Sequence, residues 1–530
     1  MTASVSITHA GGLAPIGAAE RIHALDIIRG LALIGIFLMN VEWFTRPLAE
    51  FGTGVDVNQH GLSYLASWFI YTFVQGKFWT MFSLLFGMGF AVMLTRAQEG
   101  DRAFAVPYMR RIAGLFAFGC AHFVLVWTGD ILHNYAAAAL FLLLIVTRSW
   151  LGWLATLLSV VAIGYGFGVE WLLVSLGFVA AAVAAGWMLR RTAIDRWYKM
   201  IAPVGLAALA AASLAPTSPD MAATAAVLAL VAILLVVLER GTLARYWKWG
   251  VGMFVLPLLV VLVAIGVFSL KPELMPGQGP DAAQHRAEAT VERAKDRAEQ
   301  VTVFTTGSYG DSLAWRAKSF REELPGTAAV AVFALAMFLI GFWFVRSGVV
   351  RAWREHLPLF RRLLGWSLPV GLAITLASVG LRASFVRGLP PSNLSALAGT
   401  LFELGSLPLC IGYASGIFCL LGTRLGAMLL SPLRHAGRMA LTNYLGASVI
   451  GTLYFSGYGL GHFGQVSRAG QVLFVAVVFA AQLAFSAAWL AKFRYGPMEW
   501  LWRAITYWRL PPMRLGDEAA TPSLAVTGSA

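Results

Sequence analysis

Charge is scarce in this chain. Only 12% of its 530 residues are Asp, Glu, Lys or Arg. A soluble domain carries about twice that share, so a soluble globular fold is excluded. Cysteine is scarcer still. Cys120, Cys410 and Cys419 all fall in apolar stretches. There is no CxxC pair, no zinc-ligand spacing and no disulfide framework, and the three read as small packing residues. Residues 1–20 have no apolar run, so no cleavable signal peptide is expected. Ser83 lies in no GxSxG elbow, and no internal repeat stands out.

What the chain does have is long apolar runs. Hydrophobic residues make up 58% of it, and the mean hydropathy is +0.72. Continuous runs indicate spanning helices, not the short alternating strands of a barrel. At roughly 20 residues per span, about fourteen spans are expected. They fall at 26–45, 77–95, 107–127, 130–147, 151–168, 171–189, 200–216, 221–238, 249–270, 326–345, 364–383, 396–421, 439–457 and 471–491. The expected fold is an all-α, polytopic transmembrane helix bundle. Its parts would be a cytoplasmic segment 1–24, a membrane motif region 25–147 and added helices 148–270. An extracytoplasmic loop 271–325, a membrane domain 326–510 and a disordered tail 511–530 would follow.

The net charge is +14 and the pI near 10.0. In a membrane chain, arginine-rich loops orient the spans. That reading needs no nucleic acid, and it puts both termini in the cytoplasm. The solvated stretch from Asp281 to Gln300 mixes Ala, Glu, Arg and Lys at helical spacing.

Polar groups inside apolar runs are costly and mark sites. The first span runs from Leu25 to Asn40 and opens on Asp26 and Arg29, which share a helix face. An inner polar layer would gather these two with Arg110, Arg111, Arg438, Asn443, Tyr444, Glu499 and Arg503. An outer layer would hold Asn40, His60, Lys77, His122, Asp130, His133 and Tyr135. A carboxylate beside an imidazole is the usual general base, so Asp130 with His122 or His133 is the leading pair, and Lys77 would meet Asp130. Taken alone, each of Arg110, Arg111, Arg438 and Arg503 reads first as an orientation signal and only then as a ligand contact. Glu499 and Arg503 would serve equally well as a surface pair.

Six ordered blocks resemble the YeiB-type family of bacterial inner-membrane proteins. They are Leu25–Gly30 through Asn40; Gly76-Lys77-Phe78 with Phe82–Gly87; Gly129–Leu132 with Tyr135; Gly307-Ser308-Tyr309 with Arg316; Gly437–Tyr444; and Gly496–Trp500 with Arg503. The stretch 150–270 carries none of them. The first block is also similar to membrane acyltransferases of the heparan-glucosaminide N-acetyltransferase and bacterial O-acyltransferase types. That resemblance implies a transmembrane acyltransferase-like bundle. Its donor would be cytoplasmic acyl-CoA, acetyl-CoA in the first instance. The acceptor would be a small molecule or glycan bearing a hydroxyl or amine beyond the membrane. It implies no metal, and it leaves room for a homodimer in the bilayer. His60, His122 and His133 compete for the base. Lys77 and Asn40 would stabilise the oxyanion. A transporter of a small solute or lipid-linked compound, and a structural scaffold, are the rival readings.

Overall fold

The computed structural model describes residues 21–47, 52–53, 55, 59–147, 245–271, 282–323, 327–382, 385–386 and 392–516. The expected spans at 151–168, 171–189, 200–216 and 221–238 lie outside them, as does most of the tail.

The described chain is almost wholly helical. Helix α1 (His23–Asn40) passes through a short turn to β1 (Gly52–Thr53) and then α2 (Gly61–Phe69). Next come α3 (Lys77–Glu99), α4 (Ala105–Leu125), α5 (Leu132–Thr147) and α6 (Tyr246–Leu270). The charged stretch read at helical spacing forms α7 (Ala282–Thr305), and α8 (Tyr309–Glu323) follows it. After these, α9 (Thr327–Arg346) and α10 (Leu357–Gly380) lead to β2 (Phe385–Val386). The remainder is α11 (Asn393–Leu421), α12 (Arg424–Leu430), α13 (Leu433–Arg438), α14 (Ala440–Phe455), α15 (Arg468–Leu490) and α16 (Pro497–Tyr507). The two strands form a single antiparallel pair.

The expectation of about fourteen spans is corrected. Six helical stretches among the described residues are long and apolar enough to cross a bilayer: His23–Phe44, Gly61–Glu99, α6, α10, α11 and α15. The physical reason is length and charge. Helices α5 and α14 have 16 residues each, about 24 Å at a rise of about 1.5 Å, against a hydrocarbon core of about 30 Å. The apolar part of α9 (Val330–Arg346) is likewise short. Helix α4 carries Arg110, Arg111 and His122. Of these four, α5 and α9 are buried by their neighbours, while α4 and α14 also turn residues such as Phe116 and Leu453 outward.

Helix α9 shows this most clearly. Val332, Leu335, Met337, Phe338 and Phe342 are all buried, as an apolar helix at the centre of a bundle must be. It packs on α3, α5 and α6. In contrast, α6 and α10 turn Val260, Val263, Trp366 and Val370 outward, an apolar exterior suited to lipid.

Glycine sets two of the tightest crossings. A Cβ at Gly30 or Gly437 would strike the backbone of the other helix, at Leu433 or Asp26 respectively. Thus α1 and α13 touch main chain to main chain, which brings Asp26 and Arg29 beside Arg438. Gly87 does the same against Phe338. Gly89 does not: no atom lies within 4 Å of its would-be Cβ, because it borders a cavity.

Candidate functional site

That cavity is a chamber of about 240 Å³ between α1, α3, α4, α5, α14 and α16. One end is basic, with Arg21, Arg29, Arg96, Arg111, Arg438 and Arg503 on its wall. The middle is apolar, with Phe82, Phe86, Phe90 and Leu115. The far end is closed by Ile131, Leu132 and Tyr444. A wider vestibule of about 890 Å³ adjoins the basic end and shares Arg21 and Arg96 with it. Arg102, Arg354 and Arg434 extend its charge.

Local chemistry holds the basic end open. Asp26 accepts from Arg29 Nη1 at 2.8 Å, as their spacing of three requires. Arg111 lies 3.6 Å above the Trp502 ring, and Trp502 Nε1 donates to Arg111 O at 2.9 Å. Arg503 sits 4.6 Å from the Tyr495 ring centre. Arg438 Nη2 donates to Arg494 O at 3.2 Å. Arg111, Arg438 and Arg503 are positioned by rings and carbonyls, while Asp26 pairs with Arg29, so the basic end keeps a surplus of arginine over its two carboxylates, Asp26 and Glu499. Glu499 is not paired with Arg503. Its carboxylate accepts from Leu441 N at 2.6 Å, Thr442 N at 3.1 Å and Thr442 Oγ1 at 2.6 Å, capping the start of α14. Burial pushes this carboxyl above the ordinary glutamate range, while the bonds from Thr442 pull it back.

Behind Tyr444 stands the Asp130 cluster, built by the turn from α4 to α5. Asp130 Oδ1 faces His122 Nδ1 at 2.9 Å and the Tyr444 hydroxyl at 3.3 Å. Asp130 Oδ2 accepts from Leu132 N at 2.9 Å and faces His133 Nδ1 at 3.4 Å. A carboxylate only accepts, so both imidazoles present Nδ1–H to it. His133 Nε2 then takes the Asn134 amide at 3.2 Å. His122 Nε2 has no partner, although His122 is only 4% exposed. A carboxylate-oriented imidazole with its other nitrogen bare has the geometry that a general base requires.

The other predicted residues are placed as follows. Asn40 lies one void away from the chamber, in a space of about 10 Å³ shared with Tyr444 and Gln482. Asn443 is a strut: its amide donates to Ala436 O at 3.2 Å and Ser486 Oγ at 2.9 Å. Tyr135 is buried, with its hydroxyl donating to Trp79 O at 3.1 Å and accepting from Ser83 at 2.9 Å. Arg110 leans over Trp508, outside the chamber wall. His60 is exposed at the start of α2. Lys77 does not meet Asp130. Its Nζ donates to Tyr71 O at 3.3 Å and lies 3.8 Å from the Phe402 ring centre, with Glu403 as the nearby carboxylate. Glu403 and Arg21 belong to no motif of the sequence, and Arg96 reads there only as one of the loop arginines that orient the spans. Among the described residues no group of His, Cys, Asp and Glu is placed to hold a metal ion.

Comparison with known proteins covers both halves of this site. Residues 344–509, which supply Arg438, Tyr444, Glu499 and Arg503, match the family described as "Protein of unknown function (DUF418)". The chain is 25% identical to the uncharacterized protein YxaH of Bacillus subtilis (strain 168), over 93% of this chain and 96% of that protein. It is 26% identical to the uncharacterized protein YeiB of Escherichia coli (strain K12), over 92% of this chain and 96% of the relative. A 39.9 kDa protein of Bacillus acidopullulyticus is 23% identical, over 95% and 99% of the two chains. No solved structure matches.

Proposed function

We propose that this multi-pass membrane protein of the DUF418/YeiB-like bacterial family transfers an acyl group from acyl-CoA to an acceptor hydroxyl or amine. One observation carries the reading. A single chamber leads from a surplus of arginines to a tyrosine that bonds the carboxylate orienting a bare imidazole nitrogen.

Each part has a chemical task. The vestibule and basic end meet the phosphates of CoA on the cytoplasmic side with charge-assisted bonds. The apolar middle takes the pantetheine arm and acyl chain. Tyr444 swings aside to admit the thioester to His122. His122 Nε2 removes the proton from the acceptor, whose oxygen or nitrogen attacks the thioester carbonyl. The tetrahedral intermediate collapses, the C–S bond breaks, and His122 returns the proton to the CoA thiolate. Asp130 keeps the imidazole in the required tautomer and stabilises its protonated form. Asn40 lines the adjoining void with Tyr444, where the amides of Asn443 and Gln482 are spent on other bonds, and it would donate to the oxyanion once Tyr444 moves.

The test is thiol release from acetyl-CoA by the purified full-length protein in nanodiscs. Slow release that rises with added acceptor and is lost in His122→Gln supports the proposal. Release that is absent, or equal in His122→Gln and wild type, overturns it.

A further inference from the structure

One buried cation has no counter-charge among the described residues. Arg316 on α8 is 1% exposed. Its Nε donates to Val124 O at 2.9 Å and its Nη2 to Leu125 O at 3.2 Å, at the carbonyl end of α4. The Tyr309 ring lies 5.4 Å away. All these partners are neutral, and among the described residues Nη1 has none. An unpaired charge held from water is expensive, so this one calls for an anion.

A second observation points to the same space. Trp127 is 4% exposed, and its Nε1 also lacks an acceptor. Arg316 and Trp127 line one void of about 20 Å³, with Thr128 and Gln300 on its wall. Trp127 lies 6.1 Å, ring centre to ring centre, from His122. The void shares no lining residue with the chamber, so it approaches the Asp130 cluster from a different direction.

We propose that Arg316 Nη1 and Trp127 Nε1 form an anion-recognition subsite for a carboxylate or phosphate group on the acceptor. Two donors, one of them cationic, select an oxyanion over a hydroxyl. A void of this size takes one oxygen. The rest of the ligand requires the α7–α8 arm to move, and Arg316, Tyr309 and Phe320 pin that arm to α4. The class of acceptor this implies is an acidic sugar or a phosphorylated polyol. Its role as acceptor rests on the acyl-transfer reading; the anion site itself does not.

The experiment is thermal unfolding of the full-length protein in detergent, with no acyl donor present. The probes are glucuronate, inorganic phosphate and, as the neutral control, glucose, all at ionic strength matched with KCl. A saturable rise in Tm with glucuronate or phosphate, but not with glucose or KCl, is expected. Which of the two acts assigns the carboxylate or the phosphate. Trp127→Phe keeps the ring and removes the donor, and it should weaken the apparent affinity about tenfold, as expected for one bond to a charged group. Arg316→Gln should abolish the shift. If that variant fails to fold, Trp127→Phe decides alone. No anion-specific rise, or an undiminished rise in Trp127→Phe, overturns the subsite and leaves a trapped water there. An anion shift in a protein inert toward acetyl-CoA would uphold the subsite and reject acyl transfer. Turnover without the shift would do the reverse.

Discussion

His122 and His133 flank the same carboxylate, yet they are not equivalent. Asn134 occupies the outer nitrogen of His133, and nothing occupies that of His122. Replacing His122 by Gln should lower transfer by about 10² to 10⁴, the usual worth of a general base, with protein yield unchanged. His133→Gln should cost activity far less. Assays of both variants at matched abundance check this. Asp130 receives bonds from His122, Leu132 N, His133 and Tyr444. Asp130→Asn should therefore lower both yield and activity, since an amide nitrogen cannot accept the bonds one oxygen now takes. At this scale the sequence was legible where partners are neighbours on one helix or turn. The Asp26–Arg29 bond and the Asp130–His133 contact follow from spacing alone. Lys77 was not legible, because its partners Phe402 and Glu403 come from a helix far along the chain. Spacing carries no information about which helices meet.

Among the helices, the contrast between two glycines gives a sharp prediction. Gly437 is pressed against the Asp26 carbonyl, and Gly89 faces open space in the chamber. Gly437→Ala should separate α1 from α13 and destabilise the protein by about 1–3 kcal/mol, the range for overpacking. Gly89→Leu should leave the Tm in detergent near wild type while filling the chamber and abolishing acyl-CoA binding. Melting curves and CoA titrations of the two variants check both. The cap on α14 gives a pH prediction. The Glu499 carboxyl is raised in the folded protein, so its contribution is fully present below the ordinary glutamate value of about 4.3. That contribution is lost as pH rises through the higher folded value. Melts in this window should show stability falling with pH in wild type and a flatter profile in Glu499→Gln. The start of α14 and the Gly496–Trp500 block that opens α16 were legible as motifs. That Glu499 caps α14, rather than pairing with Arg503, was not, since a cap from another helix leaves no local pattern.

For the whole molecule, hydropathy identified a helical membrane protein and overcounted its spans. A run of apolar residues looks the same whether lipid or protein surrounds it. Helix α9 is buried by its neighbours, and α5 and α14 are too short to cross the core. The chamber was legible only as a list of polar residues in two layers; its walls required the packing of six helices. The central claim is that an acyl donor occupies this chamber between the arginines and Tyr444. The most direct measurement is photolabelling of the membrane-embedded protein with an acyl-CoA carrying a photoreactive group in its acyl chain, followed by peptide mapping. Labelling of α3, the Ile131–Leu132 turn and α14, displaced by excess CoA and absent in Gly89→Leu, is predicted. Labelling confined to the lipid-facing surfaces of α6 and α10, or insensitive to CoA, would contradict the account.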